Sequence, residues 1–284
     1  QLTVMKNFFF LLLLSFLFLP TILNAQTTFG PQQIISANVA GATSVYAIDL
    51  DGDGDNDVLS TSITDDKIAW YANDGNGNFS NEQIISTNAN GASFVYAIDL
   101  DGDGDNDVLS ASAWDDKIAW YENNGIGNFS AEQIISTNAD DASSIYAIDL
   151  DNDGDNDVLS ASANDNKIAC YANDGNGNFG IQQIISTNAD GAKSVYAIDI
   201  DNDGNNDILS TSSVDNKIAW YKNNGNGNFG DEQIISANAF IALSVYAIDV
   251  DNDGDNDVLF TSLNNDKIAW YENDGIGNFS TKQI

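Results

Sequence analysis

Three features of the sequence predict an all-β fold, a β-propeller of four-stranded antiparallel blades. The first is an internal repeat, because the acidic motif that begins at Asp49 returns every 50 residues, at Asp99, Asp149, Asp199 and Asp249. The second is that each repeat holds four short apolar segments separated by turn-forming residues. The third is the lack of sustained helical periodicity beyond the N-terminal apolar segment. A sandwich would not repeat so regularly and a parallel β-helix needs shorter rungs, whereas blades of about 50 residues are typical of propellers.

One repeat, residues 44–93, illustrates how the strands are assigned. Its first segment is apolar almost throughout, as expected of a strand that is buried on both faces. The acidic loop follows, then two segments rich in strand-forming residues. The Asn-Gly and Asp-Gly signals at 73–78 predict a hairpin before the fourth segment. The four predicted strands are 44–48, 57–62, 67–71 and 82–86.

The two ends of the chain do not match a finished set of blades. Residues 29–36 read as a fourth strand with no blade before it, and the fifth repeat stops inside its own fourth strand at Ile284. These unmatched strands predict that the chain is a C-terminally truncated piece of a longer propeller, for example a seven-bladed one. The alternative is that the five blades close on themselves with the strand at 29–36 beside the last blade.

The N-terminal residues predict a signal peptide, with Met5 as the true start. A short positive region precedes an apolar run at 8–19, and Pro20 and Ala25 complete the pattern. Cleavage after Ala25 would leave the propeller as 26–284, secreted or at the cell surface and not inserted in a membrane. The alternative is an uncleaved anchor, but the run is short for a span of about 20 residues.

Composition narrows the function further. The chain has 43 acidic residues, nine basic residues and no His, for a formal net charge of −34, which argues against nucleic acid and anionic membranes as partners. The absence of His removes the commonest general base, and near-identical repeats make near-identical sites rather than one asymmetric pocket, so we expect no enzyme. The only Cys, Cys170, stands where the other repeats have Trp, which predicts a buried replacement rather than a nucleophile.

A nine-residue acidic loop is the strongest chemical signal in each repeat. Positions 1, 3, 5 and 9 are Asp and position 6 is Gly, so the carboxylates repel one another unless a cation lies among them. Calcium takes six to eight oxygen ligands and is the natural candidate, and the Gly permits the sharp bend. The acidic residues at these four positions are Asp49, Asp51, Asp53, Asp57; Asp99, Asp101, Asp103, Asp107; Asp149, Asp151, Asp153, Asp157; Asp199, Asp201, Asp203, Asp207; and Asp249, Asp251, Asp253, Asp257.

The loop is not that of an EF-hand, which has an aliphatic residue at position 8 and a bidentate Glu at position 12. Here position 8 is Asn, position 12 is Ser or Phe, and a strand follows. The pattern D-x-D-x-D-G-x-x-D over residues 29–284 instead resembles the FG-GAP and VCBS repeats of integrin-α-like β-propellers. The Phe-Gly pair of that family is present only at 29–30, 179–180 and 229–230.

That resemblance implies one structural calcium ion per repeat, five in all. It implies that the four Asp of each loop bind through side-chain oxygens and that position 7 binds through its backbone carbonyl. The position-7 residues are Asp55, Asp105, Asp155, Asn205 and Asp255.

The resemblance also implies a binding or adhesion scaffold whose partner is an extracellular protein or a glycan. The alternative is a lectin-like propeller, in which exposed equivalents of Tyr71 from the repeated Trp-Tyr pairs would stack on sugars. Core packing is the competing interpretation for the Trp of each pair. The candidate binding surfaces are the variable segments 90–91, 140–141 and 240–243, with Lys193.

Overall fold

The computed structural model describes residues 30–280, and within them five antiparallel sheets follow one another along the chain. We call these sheets blades 1 to 5. The first strands of the blades are β1 (Ala42–Ile48), β5 (Ala92–Ile98), β9 (Ala142–Ile148), β13 (Ala192–Ile198) and β17 (Ala242–Ile248). The second strands are β2 (Asp57–Ser62), β6 (Asp107–Ser112), β10 (Asp157–Ser162), β14 (Asp207–Ser212) and β18 (Asp257–Ser262). The third strands are β3 (Lys67–Tyr71), β7 (Lys117–Tyr121), β11 (Lys167–Tyr171), β15 (Lys217–Tyr221) and β19 (Lys267–Tyr271). The fourth strands are β4 (Gln83–Ser86), β8 (Gln133–Ser136), β12 (Gln183–Ser186) and β16 (Gln233–Ser236).

The predicted all-β repeat is confirmed. Within each blade every strand pairs with the next one in sequence, and the only helical element of the described chain is a short 3₁₀ turn at Leu263–Asn265. The predicted strand at 29–36 is wrong over its described part, since residues 30–36 are irregular. A strand exists only where its backbone groups are paired, and residues 30–36 are paired with no strand of the described chain. Phe29, the signal-peptide prediction and the end of the fifth repeat at 281–284 lie outside the described residues.

The pairing register places two kinds of loop at opposite ends of every blade. Ile48 pairs with Asp57 and Val58 pairs with Tyr71, so the acidic loop and the hairpin between the third and fourth strands share one end. We call this the acidic end. The turn between the second and third strands and the connection to the next blade lie at the other end, which we call the variable end.

The hydrophobic core lies between consecutive blades. Trp70 of blade 1 packs with Val108 and Tyr121 of blade 2, and its ring meets Phe129 edge-on at 6.3 Å between centroids. Gly127 lies against the same indole, and a Cβ there would be 2.4 Å from Trp70 Cζ2. The next two interfaces between blades repeat this packing, except that Cys170 takes the Trp position between blades 3 and 4.

Because the core is shared, each blade depends on its neighbour for burial. Ile218 of blade 4 is fully buried beneath blade 5, whereas the equivalent Ile268 of blade 5 is 78% exposed. Val45 of blade 1 is 69% exposed and the equivalent Val95 only 1%. Stability in such an array is approximately a sum of blade and interface contributions.

The recurring lysine of the third strand forms a salt bridge in blades 1 to 4. Lys117 is buried, and its Nζ lies 2.8 Å from Glu132 Oε1 and 3.0 Å from Asp115 Oδ2. It also donates a hydrogen bond to the carbonyl of Asn88 in the preceding blade connection, at 3.0 Å. The ammonium is therefore committed to packing rather than to chemistry.

Candidate metal centres

Each of the five acidic loops brings three carboxylates together. In every blade one oxygen from each of three Asp side chains lies within 4.8 Å of the other two. Ligand oxygens on opposite sides of a calcium ion are about 5 Å apart, since each lies about 2.3–2.6 Å from the ion. One ion therefore fits each group. The groups are Asp49, Asp51, Asp53; Asp99, Asp101, Asp107; Asp149, Asp151, Asp157; Asp199, Asp201, Asp203; and Asp249, Asp251, Asp257.

Every group contains the predicted residues of loop positions 1 and 3, and the third member varies. It is position 5 in blades 1 and 4 and position 9 in blades 2, 3 and 5. The fourth predicted acid of each loop stands outside the group of three. These outer residues are Asp57, Asp103, Asp153, Asp207 and Asp253.

Backbone amides fold each loop around its first carboxylate. In blade 1 the two oxygens of Asp49 accept hydrogen bonds from the amides of Gly52 and Gly54, at 2.8 and 2.9 Å. Asp53 accepts one from the amide of Asp55 at 2.9 Å. Gly54, at position 6, has a φ of 93°, which L side chains rarely adopt, so the sequence argument for a sharp bend there is confirmed.

The position-9 carboxylate closes the loop from inside the sheet. Asp57 is fully buried, and its oxygens accept hydrogen bonds from the amides of Leu50 and Asn73, at 2.9 and 2.8 Å. Desolvation by burial raises the pKa of the equivalent Asp107 to about 7 and that of Asp157 to about 6. A buried carboxylate of this kind gains from a nearby cation, which favours its charged form.

The position-3 carboxylate of blade 1 also lacks compensation. Asp51 Oδ1 is buried with no hydrogen-bond partner. Burial, followed by repulsion from Asp57 and Asp53, raises the pKa of Asp51. An orphaned, desolvated carboxylate oxygen inside an all-oxygen cluster fits a hard divalent cation.

The position-7 side chains lie against the hairpin between the third and fourth strands and are not members of the groups of three carboxylates. Asp55 lies beneath the hairpin between the third and fourth strands, where a Cβ on Gly75 would be 2.3 Å from its Oδ2. In blade 4, Asn205 accepts a hydrogen bond from Asn152 of blade 3 at 2.9 Å. This leaves the backbone carbonyl as the group that position 7 can offer, and its binding to calcium stays a prediction.

Two sets of Asn side chains, which sequence reasoning did not assign, tie the acidic loops of blades 1 to 4 to the next blade. Asn106 donates to the carbonyl of Asp49 at 2.9 Å. Asn123 donates to the carbonyls of Leu50 at 2.8 Å and of Asn106 at 2.9 Å. Asn recurs at both positions in every repeat, and this recurrence is the sequence signal from which their role could have been predicted. The later equivalents are Asn156, Asn173, Asn206, Asn223, Asn256 and Asn273.

The expectation of exposed Tyr71 equivalents is wrong. Trp120 is 3% exposed and Tyr121 is 1% exposed, because alternation along the strand points them to opposite faces and a blade covers each face. Trp120 packs toward blade 3 and Tyr121 toward blade 1. Core packing of the Trp is therefore confirmed, and the Trp-Tyr pair offers no stacking platform to a sugar.

The turns of the variable end carry exposed apolar residues. Trp114 and Val214 lie in equivalent turns of blades 2 and 4 and are 59% and 65% exposed. The turn of Trp114 is bonded to the preceding connection, since its amide donates to the carbonyl of Asn90 at 3.1 Å. Phe240, in the connection to blade 5, is 45% exposed. The segments singled out from sequence therefore share one end of the blades.

Comparison with known proteins agrees with this architecture. The family described as FG-GAP-like repeat matches four overlapping stretches of the chain, residues 49–110, 99–160, 149–210 and 199–260. No curated protein sequence matches the chain significantly.

Two solved structures share the fold at low sequence identity. A lectin from Agrocybe aegerita, described for specific recognition of non-reducing terminal N-acetylglucosamine, is 18% identical with a TM-score of 0.66, over 92% of this chain and 72% of the lectin chain. The V. cholerae biofilm matrix protein Bap1 is 18% identical with a TM-score of 0.50, over 86% of this chain and 39% of Bap1.

Proposed function

The chain belongs to the FG-GAP-like repeat family, and on that premise we propose that it is a secreted calcium-binding β-propeller that serves as an extracellular binding or adhesion scaffold. The observation that carries the proposal is the recurrence of one carboxylate cluster at the same turn of all five blades. A catalytic cluster would stand in one asymmetric pocket, whereas a structural positive charge is needed once per repeat.

The donor chemistry favours calcium over other metals. The clusters offer only oxygens, the chain has no His, and its one Cys is in a strand, so zinc and other soft-ligand metals lack their preferred partners. Magnesium demands near-ideal octahedral geometry and retains waters, whereas calcium accepts many carboxylate and carbonyl oxygens in a flexible loop. Calcium bound here would neutralise the carboxylates and fix the loop that the next blade holds through its Asn side chains.

The binding role rests on the variable end. Its turns differ in sequence between blades more than the strands do, and they present exposed apolar side chains such as Trp114 and Val214. Variable loops on a rigid repeated framework are a common arrangement for recognition. The shared fold with a biofilm matrix protein supports an extracellular setting. Among residues 30–280, no helix is long and apolar enough to cross a membrane.

A lectin-like function is the second candidate, and one groove favours it. A cavity of about 410 Å³ lies between blades 1 and 2, lined in part by Trp70, Gln83, Asn128 and Phe129. Its amide groups offer donors and acceptors to sugar hydroxyls beside the edges of the two aromatic rings. Binding of N-acetylglucosamine glycans on an array, lost on Asn128→Leu and kept on Asn178→Leu, would favour this candidate over a protein-binding scaffold.

The calcium proposal is tested by thermal unfolding in excess calcium and in EDTA. Each ion that binds only the folded state adds about 1.4 kcal/mol at ten times its dissociation constant, so filling several sites should raise the melting temperature strongly. Asp101→Asn should reduce the calcium-dependent rise. Asp190→Asn, which removes the same charge from an exposed connection outside the loops, should leave it unchanged. Identical melting in calcium and EDTA would overturn the proposal.

A further inference from the structure

The residue that follows the third strand lies beside the acidic loop and differs between blades. It is Ala72 in blade 1, Glu122 in blade 2, Ala172 in blade 3, Lys222 in blade 4 and Glu272 in blade 5. Blade 4 alone has a basic residue at a place where the loop is otherwise surrounded by carboxylates and amides. This difference between nearly identical repeats has a direct electrostatic consequence.

The Lys222 ammonium lies inside the fourth carboxylate group. Its Nζ donates a hydrogen bond to Asp201 Oδ2 and lies 2.9 Å from Asp203 Oδ2. Asp201 and Asp203 are two of the three Asp whose oxygens form the candidate metal group of blade 4. The Asp201 side chain is only 8% exposed and that of Lys222 is 44% exposed, so the ammonium reaches a buried carboxylate of the loop from a partly exposed side chain.

The charge of the fourth loop is reduced in a second way. Position 7 is Asn205, whereas it is Asp in the other four loops. The Asn205 amide donates to Asp203 Oδ1 at 2.8 Å, so it also supplies a donor to a carboxylate that would otherwise need a cation. The fourth loop therefore contains its own positive charge and one fewer negative charge.

We propose that Lys222 is the resident cation of the fourth acidic loop, and that blade 4 does not take up calcium at concentrations that fill the other loops. This inference rests on the proposed calcium function. An ammonium tethered beside the site acts at an effective concentration of about millimolar or higher. Calcium modules of the extracellular kind bind with dissociation constants of about 10⁻⁴–10⁻³ M, so a calcium ion must displace a competitor that is always present.

Blade 1 provides a matched comparison. Its group uses the same loop positions as that of blade 4, namely 1, 3 and 5. Asp51 Oδ1 and Asp201 Oδ1 are both buried without a hydrogen-bond partner, so the two loops leave the same oxygen unsatisfied. Blade 1 has Ala72 where blade 4 has Lys222, and the lysine can therefore be moved from one loop to the other.

The test is the number of calcium ions bound per chain, measured by equilibrium dialysis with radioactive calcium at saturation. Lys222→Ala and Lys222→Met should each bind one ion more than the wild type, and Ala72→Lys should bind one ion fewer. The Met variant keeps the aliphatic stem and removes only the charge. In EDTA, Lys222→Met should melt below the wild type because its carboxylates lose their cation, and excess calcium should narrow that difference.

The outcomes separate this inference from the calcium function. Equal numbers of ions in the wild type and in both Lys222 variants, with calcium bound, would overturn the role of Lys222 and leave the calcium function standing. No calcium binding in any variant would overturn the calcium function, and this inference with it. The Lys222 variants decide the question even if Ala72→Lys does not fold.

Discussion

Replacing Gly127 by alanine should destabilise the protein far more than replacing Gly227, although the two glycines occupy the same position in repeats 100 residues apart. Their backbones are alike, with φ of 70° and 65°. Their surroundings differ in one side chain of the preceding blade, which is Trp70 beside Gly127 and Cys170 at the equivalent position before Gly227. A Cβ on Gly127 would be 2.4 Å from Trp70 Cζ2, whereas on Gly227, opposite Cys170, its nearest neighbour would be Asp151 Cβ at 3.2 Å.

The magnitudes follow from two separate costs. An L side chain in the left-handed region costs about 1–2 kcal/mol, and both variants carry that cost. Overpacking against a buried ring that cannot move freely costs about 1–3 kcal/mol more, and only Gly127→Ala carries it. We therefore expect losses of about 2–5 kcal/mol for Gly127→Ala and about 1–2 kcal/mol for Gly227→Ala.

The assay is urea unfolding in excess calcium, monitored by far-UV circular dichroism. Free energies of unfolding are compared only between variants whose unfolding free energy depends equally on urea concentration, that is, whose m-values agree. A second cycle uses Cys170→Trp, which gives the interface between blades 3 and 4 the indole that the other interfaces have. In that background Gly227→Ala should cost as much as Gly127→Ala does in the wild type, a coupling of about 1–3 kcal/mol. Equal losses for the two single alanine variants would refute the idea that Trp packing requires the glycine.

Two further predictions concern other buried groups. Burial raises the pKa of the Cys170 thiol to about 12, so the thiol should react with a disulfide reagent at pH 8 only after unfolding, and rapid labelling of the native protein would contradict this. Asn123→Ala should lower the free energy of unfolding by about 1–3 kcal/mol, because it leaves the buried carbonyl of Leu50 without a donor. Asn73→Ala is the control, since the Asn73 side chain donates only to the exposed carbonyl of Asn56 and accepts from the exposed amide of Gly77, so its loss should cost less, as urea unfolding would measure.

The local elements of this fold could be predicted because their causes are local. Alternation, Asn-Gly turns and the spacing of Asp around Gly54 are readable within one repeat, and the strands begin within about two residues of the predicted positions. The errors concern pairing and burial. Residues 30–36 have strand-like composition but no paired strand in the described chain, and Tyr121 is covered by a neighbouring blade that its own segment does not reveal.

The candidate site divides in the same way. The Asp positions and the bending Gly follow from the motif, but the Asn side chains that hold each loop from the next blade depend on packing between repeats. Sequence reasoning did not single out Lys222, since only the structure brings its ammonium to Asp201. In a chain of near-identical repeats, the few positions that differ therefore distinguish the chemistry of one loop from that of another, which the shared motif does not.

The contacts between loops give these differences an effect beyond one blade. Asn206 of blade 4 donates to the carbonyl of Asp149 in loop 3, at 2.9 Å, and Asn256 of blade 5 donates to the carbonyl of Asp199 in loop 4, at 2.9 Å. A cation that orders one loop therefore also positions a backbone carbonyl that the next blade needs.

On the proposed assignment, the acidic loop of blade 4 is ordered by Lys222 without calcium, so its contact with blade 5 should persist after calcium is removed by a chelator. The contact between blade 3 and loop 2, where Asn156 donates to the carbonyl of Asp99 in a loop with no internal lysine, should be lost earlier. Amide hydrogen exchange in EDTA should then be slower in β14 than in β6, and Lys222→Met should remove the difference.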